Sequence, residues 1–222
     1  PQPICRRRSS AVAGVEQQRM GESLMAPGFG ELKIFSGSAH PELTREVAAF
    51  VGVQPGLARL RRFPDTEVSF QIDENIRGTD VFIIQPTCAS GHLSVDQNLV
   101  ELLIMIDAFR RSSAARITAV LPYYGYGRSD KKDQPRLPIT ARLIAYLLTV
   151  ARANRVLTVD LHADQIQGFF NVPVDNVYAS PISVDHAIAQ HYSNPIVISP
   201  DVGGVARARA IAKLINDTDL AI

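Results

Sequence analysis

Cysteine is scarce: two in 222 residues, Cys5 and Cys88, which excludes a disulfide scaffold and fits a reducing compartment. A cytosolic location is expected. Net charge is nearly absent, since 23 basic and 22 acidic residues leave a formal +1. So weak a field gives no argument for nucleic acid or an anionic membrane surface, and any recognition of phosphate has to be local. Long apolar runs are missing as well. The most apolar stretch, Leu99 to Ile106, is far shorter than the roughly 20 residues of a membrane-spanning helix. No transmembrane helix is expected. The chain also lacks Gly-x-x-x-x-Gly-Lys-Ser/Thr and Gly-x-Gly-x-x-Gly, so the P-loop and dinucleotide-binding readings lose their main support.

What remains is an ordinary globular composition, 46% apolar and 20% charged, with length for one full domain and part of another. The first residues differ from the rest. Cys5-Arg6-Arg7-Arg8-Ser9-Ser10 leads into small residues with no acid before Glu16, as in a transit peptide, although an upstream-extended reading frame or a processed end explains it more simply. Residues 1–31 are expected to be a poorly ordered extension.

From Leu32 onward, short apolar runs alternate with helical patterns, the signal for parallel strands joined by crossover helices. The fold class is α/β. Strands are predicted at Lys33–Phe35, Val68–Ile72, Asp80–Gln85, Ile117–Leu121, Arg155–Val159 and Ile196–Ser199, and helices at Pro41–Val51, Asn98–Arg111, Pro138–Ala151 and Gly203–Ile215. The Asn98–Arg111 segment is apolar nearly all round, which calls for cover on more than one side. One domain is expected over 32–175, with 176–222 opening a second.

Ligands of open parallel sheets bind at the carboxyl ends of the strands, and loops there carry polar groups that an apolar sheet does not need. After one predicted strand come Asp160 and His162, two apart, an oxygen and an imidazole nitrogen able to share a divalent ion; equally, Asp160 could cap a helix. After another, Asp201 precedes Gly203-Gly204 at a helix start, where free N–H groups favour anions, though Asp201 also reads as an N-cap. The Tyr124–Asp133 loop mixes aromatic faces, glycines and cations, including Arg128 beside Ser129, a combination suited to a base and a polyphosphate. Phe63-Pro64-Asp65-Thr66-Glu67 puts an aromatic and two carboxylates before a strand. Taken alone it is a turn.

These segments, with Phe35-Ser36-Gly37, Asp80–Gln85 and Asn98–Arg111, resemble ribose-phosphate pyrophosphokinases along almost all of Lys33–Ala212. The stretch Asp160–Asp175 matches that family's signature. The resemblance implies a parallel-sheet, phosphoribosyltransferase-like domain followed by the start of a similar one. It implies transfer of the pyrophosphoryl group of ATP to the 1-hydroxyl of ribose 5-phosphate, with Mg²⁺ as cofactor and assembly into dimers or hexamers. By the same resemblance Asp160 and His162 belong to the Mg²⁺–ATP site, and Asp201 holds metal near the ribose. Asp65, Thr66 and Glu67 contact the adenine side of ATP with Phe63 stacking nearby, often across a subunit interface, and Arg128 and Ser129 touch ATP. The chain departs from the family in having Ser129 for a usual Gln, Thr66 for Gly, Ala206 for Lys and Asn171 for Asp. The family's catalytic lysine loop and ribose-phosphate loop lie beyond the equivalent of Ile222, so no catalytic lysine is expected within these residues and the chain alone is expected to be an incomplete catalyst. The rival reading is a catalytically silent family member that regulates an active enzyme.

Overall fold

The computed structural model describes residues 30–91 and 93–222, so the expected extension falls outside the described residues up to position 29. The chain divides into two compact units, the first ending at Asn176 and the second spanning Val177–Ile222.

The first unit is built on a five-stranded sheet of β1 (Leu32–Ser36), β4 (Asp80–Ile84), β5 (Arg116–Leu121), β6 (Arg155–Val159) and β7 (Val174–Val177), in that spatial order. The pairs β1/β4, β4/β5 and β5/β6 are parallel. Alternation along these strands divides the apolar core in two. Phe35, Val81, Ile83, Ala119 and Leu121 face one side, with α2 (Val95–Arg111) and α3 (Thr140–Ala151) packed on it. Ile34 and Ile84 face the other, against Ala48 of α1 (Pro41–Val51).

Local chemistry sets the helix ends. The α1 helix has proline in its first turn, the His40 imidazole accepts the Leu43 N–H at 3.1 Å, and Gly52 ends the helix in the left-handed region. A reciprocal capping box between Ser94 and Gln97 starts α2. That helix turns out to be covered mainly on one face, by Leu99, Leu102, Met105, Ile106 and Phe109, while Val100 remains half exposed.

The Val68–Ile72 strand does form, but outside the parallel sheet. It is β3 of an antiparallel hairpin with β2 (Ala58–Arg62), a partner whose Ala-Arg-Leu-Arg-Arg sequence is too cationic to read as a buried strand. The hairpin leans on α2 through Phe70, whose ring centroid is 5.5 Å from that of Phe109, and its open end is clasped by a two-pronged Arg59–Asp73 pair at 2.7 Å. Hydrogen bonding to Arg59 holds the Asp73 carboxyl below its ordinary pKa.

The second unit comprises α4 (Ser180–Ala189), β8 (Ile196–Ile198), α5 (Val205–Leu214) and β9 (Asp219–Ala221), with β8 and β9 parallel. The elements β7, α4 and β9 escaped the sequence pattern because they are short or rich in polar and β-branched residues. No helix among the described residues is long and apolar enough to cross a membrane.

Candidate functional site

Loops leaving the carboxyl ends of β5 and β6 meet. In the loop after β5, Tyr124 is buried, donates its hydroxyl to the Ala141 carbonyl at 2.8 Å and stacks edge-on against Phe170. Burial pushes its phenol well above the ordinary pKa, so it serves as a fixed anchor. Gly125 donates its N–H to the Thr87 hydroxyl at 2.8 Å, and a β-carbon there would lie 2.7 Å from the Thr87 carbonyl oxygen. Only glycine lets these backbones approach so closely. Tyr126 donates to the Asp96 carboxylate, and that bond raises its pKa. At Gly127 the loop reaches its neighbour: a β-carbon there would stand 3.5 Å from the His162 β-carbon. Beyond it, the buried Asp130 accepts the Gln165 side-chain amide at 2.6 Å, which joins the two loops.

The loop after β6 is pinned from β7. The Asn176 amide oxygen accepts the Leu161 N–H at 3.1 Å and the Thr158 hydroxyl at 3.3 Å, while its nitrogen donates to the Asp164 carboxylate at 3.3 Å. Buried Ile166 anchors a 3₁₀ turn over Asp164–Phe169. This turn leaves His162 exposed and holds Asp160 half-buried with φ of +47°, a left-handed conformation that an aspartate tolerates better than most residues. Arg128 is exposed on the facing loop. Asp160, His162 and Arg128, three of the residues singled out in the sequence, thus belong to one pair of joined loops.

Ser129, on the same loop, is tied to the next helix. Its hydroxyl accepts the Thr140 N–H at 3.3 Å and its carbonyl accepts the Ala141 N–H at 3.1 Å, so it closes the charged loop onto the start of α3. A short hydroxyl suffices for that contact.

Phe63, Asp65, Thr66 and Glu67 form the exposed tip of the hairpin. Phe63 N–H donates to the Glu67 carbonyl at 2.9 Å, Thr66 N–H to the Phe63 carbonyl at 2.9 Å, and the Asp65 side chain accepts the Glu67 N–H at 3.2 Å. Thr66 holds φ at +75°, a strained position for a β-branched side chain. Thr66→Gly is therefore expected to stabilise the fold by about 1 kcal/mol at most, the strain relief being partly offset by glycine's greater freedom in the unfolded chain. Urea titration of the two proteins checks this, and a destabilised variant would contradict it.

Asp201 belongs to the second unit, where its carboxylate accepts the Gly204 N–H at 2.7 Å at the start of α5. Gly204 is itself the N-cap of α5, which has no side-chain cap, so Asp201 closes the turn ahead of the helix and the N-cap reading of this residue is not borne out. Sequence reasoning missed Asp130, Gln165 and Asn176, because carboxamides and carboxylates that tie loops together carry no motif of their own.

Comparison with known proteins gives these features a family. Residues 32–151 match the model of the N-terminal domain of ribose phosphate pyrophosphokinase. The chain is 54% identical over 193 residues to a ribose-phosphate pyrophosphokinase of Marinomonas sp. (strain MWYL1), covering 86% of this chain and 60% of that protein. It is 57% identical over 180 residues to the ribose-phosphate pyrophosphokinase of Wolinella succinogenes, covering 81% and 57%. A crystal structure of phosphoribosylpyrophosphate synthetase from Mycobacterium smegmatis superposes with a TM-score of 0.78 at 44% identity, covering 85% of this chain and 62% of that one. The chain thus spans about 60% of the length of the curated relatives it matches. A parallel sheet whose β5 and β6 loops are joined, and a family match over more than half the residues, lead to one assignment: the chain belongs to the ribose-phosphate pyrophosphokinase family.

Proposed function

We propose that this chain supplies the ATP-binding part of an enzyme that transfers the pyrophosphoryl group of ATP to the 1-hydroxyl of ribose 5-phosphate, giving 5-phosphoribosyl 1-diphosphate and AMP for nucleotide biosynthesis. The observation that carries this is the joining of the β5 and β6 loops by Asp130 and Gln165, which keeps Arg128 and His162 on loops in contact at the carboxyl end of the sheet.

The donor set suits a hard, phosphate-bound cation. Among the described residues no group of three His, Cys, Asp or Glu side chains comes together to cage a metal. A carboxylate at Asp160 with His162 beside it fits Mg²⁺, which keeps most of its positions for water and phosphate oxygen and takes only one or two protein ligands. Once bound there, Mg²⁺ neutralises phosphate charge. Arg128 adds cationic charge for the phosphates, and the Tyr126–Asp96 and Asp130–Gln165 bonds hold its loop in place before ATP arrives. Phe63 offers an exposed aromatic face to a base, with Asp65 and Glu67 to accept from an amino group or a ribose hydroxyl.

Such a protein works in the cytoplasm as a homo-oligomer. Support for self-association comes from Leu143, Tyr146 and Val150, spaced along one face of α3 and each more than half exposed at 52%, 58% and 56%. The deciding experiment is AMP formation by the whole natural protein. AMP should appear only when ATP, ribose 5-phosphate and Mg²⁺ are all present, and AMP formation indifferent to ribose 5-phosphate would overturn the assignment.

A further inference from the structure

We propose that Arg62 and Glu101 are positioning residues: their ion pair fixes the hairpin tip, and so sets where Phe63, Asp65 and Glu67 meet the nucleotide. The part concerning nucleotide rests on the proposed function; the tethering itself does not.

Glu101 is fully buried in the middle of α2, a costly place for a carboxylate unless donors surround it. They do. One oxygen accepts the Ser38 N–H at 2.7 Å and the Gln85 side-chain amide at 2.8 Å, and the other accepts the Arg62 guanidinium at 2.6 Å, with the Ser38 hydroxyl at 2.7 Å from both. Ser38 follows β1 and Gln85 follows β4, so two sheet strands and a helix hold this carboxylate in place before the hairpin is considered. Gln85 is itself buried and spends its oxygen on the Ala39 N–H at 3.1 Å.

Arg62 is the last residue of β2, next to Phe63. Its guanidinium also donates to the Thr66 carbonyl at 3.3 Å, so a single side chain grips both the turn and the helix behind it. The remaining anchors lie lower on the hairpin. Phe70, which packs on Phe109, pairs across the strands with Leu60, and the Arg59–Asp73 clasp sits at the open end. A two-stranded hairpin is marginal by itself, and this tip stands outside the central sheet. Without the ion pair, the exposed Phe63–Glu67 turn keeps its own internal hydrogen bonds and the strand ladder below it. A buried ion pair adds little net stability over an apolar replacement, whereas it does confine a guanidinium to one place. That makes geometry the better account of its presence.

The test uses the 222-residue chain with Arg62→Met, which keeps the apolar stem, and Arg62→Lys, which keeps the charge. Amide hydrogen exchange is followed by NMR at Phe63 and Thr66, whose N–H groups close the turn, and at β4 and β5 as internal reference. Arg62→Met should accelerate tip exchange by at least about tenfold more than exchange of the sheet amides, which bear only the cost of leaving Glu101 one donor short, with partial recovery in Arg62→Lys. ATP affinity, measured in parallel by calorimetry, should fall in the same order. Unchanged tip exchange, equal acceleration of tip and sheet, or a freed tip with parental ATP affinity would each overturn the proposal. Should Arg62→Met fail to fold, Glu101→Gln, which preserves shape and removes the charge, takes its place with the same expected outcome. A parent chain that binds no ATP would count against the proposed function alone, because tip exchange still decides the tethering.

Discussion

Phe109→Ala should lower folding stability by about 3–5 kcal/mol, the cost of deleting a fully buried aromatic ring. Three elements depend on that ring. It lies 4.5 Å from Phe35 of the sheet and 5.5 Å from Phe70 of the hairpin, both tilted, and it comes from the last turns of α2. Neither partner can collapse freely into the space, since Phe35 is fixed in the β1/β4 ladder and Phe70 in the β2/β3 ladder. The cavity therefore persists and adds its own cost to the lost transfer energy. Urea melts of the variant should show a lower midpoint with an unchanged slope, and Phe50→Ala, at a side chain 93% exposed, should shift the midpoint hardly at all. A Phe109→Ala cost below about 1 kcal/mol would mean that the three elements are not packed through this residue.

The parts of the fold legible in the sequence are those that apolar spacing dictates. Strands β3 and β6 and helix α1 have the limits predicted for them, because β-branched runs and an amphipathic stretch bounded by proline and glycine leave little choice. What spacing could not show was partnership. Val68–Ile72 alternates apolar and polar residues, as an antiparallel strand with one solvated face does, in contrast to the nearly continuous apolar run of β4, but that alternation does not name Ala58–Arg62 as its partner. The site divides in the same way. His162 and Arg128 announce themselves by residue type in loops that follow strands, but the groups that hold those loops in place, Asn176, Gln165 and Asp130, are ordinary polar residues whose partners lie in another loop or strand. Glu101, which holds the hairpin tip through Arg62, is of the same kind. Glu101 in particular lies within the apolar Leu99–Ile106 stretch of α2, where sequence alone marks it as a misfit. The structure shows it to be a junction.

Asp160→Asn tests the charge at the strand end without disturbing its conformation. Alanine would be a poorer choice, because position 160 holds φ at +47° and asparagine accepts that region at least as readily as aspartate. ATP binding to the parent chain should tighten when Mg²⁺ is present. If Asp160 is among the few protein groups that reach the ion, the asparagine variant should lose most of that gain, at least about tenfold in affinity, because even partners one shell removed from a metal are commonly worth that much. Binding without Mg²⁺ should change little, or improve slightly, since a negative charge facing phosphates has been removed. The quantity to compare is thus the ratio of affinities with and without Mg²⁺, which cancels any general weakening of the site. His162→Ala should reduce the ratio as well, though less, imidazole being a poorer ligand than carboxylate for so hard an ion. Calorimetric titration with and without chelator supplies all six affinities, two for each of the three proteins, and far-ultraviolet circular dichroism checks that each variant is folded. A ratio in Asp160→Asn equal to that of the parent would mean that the ion is held by phosphate and water alone, or elsewhere on the chain.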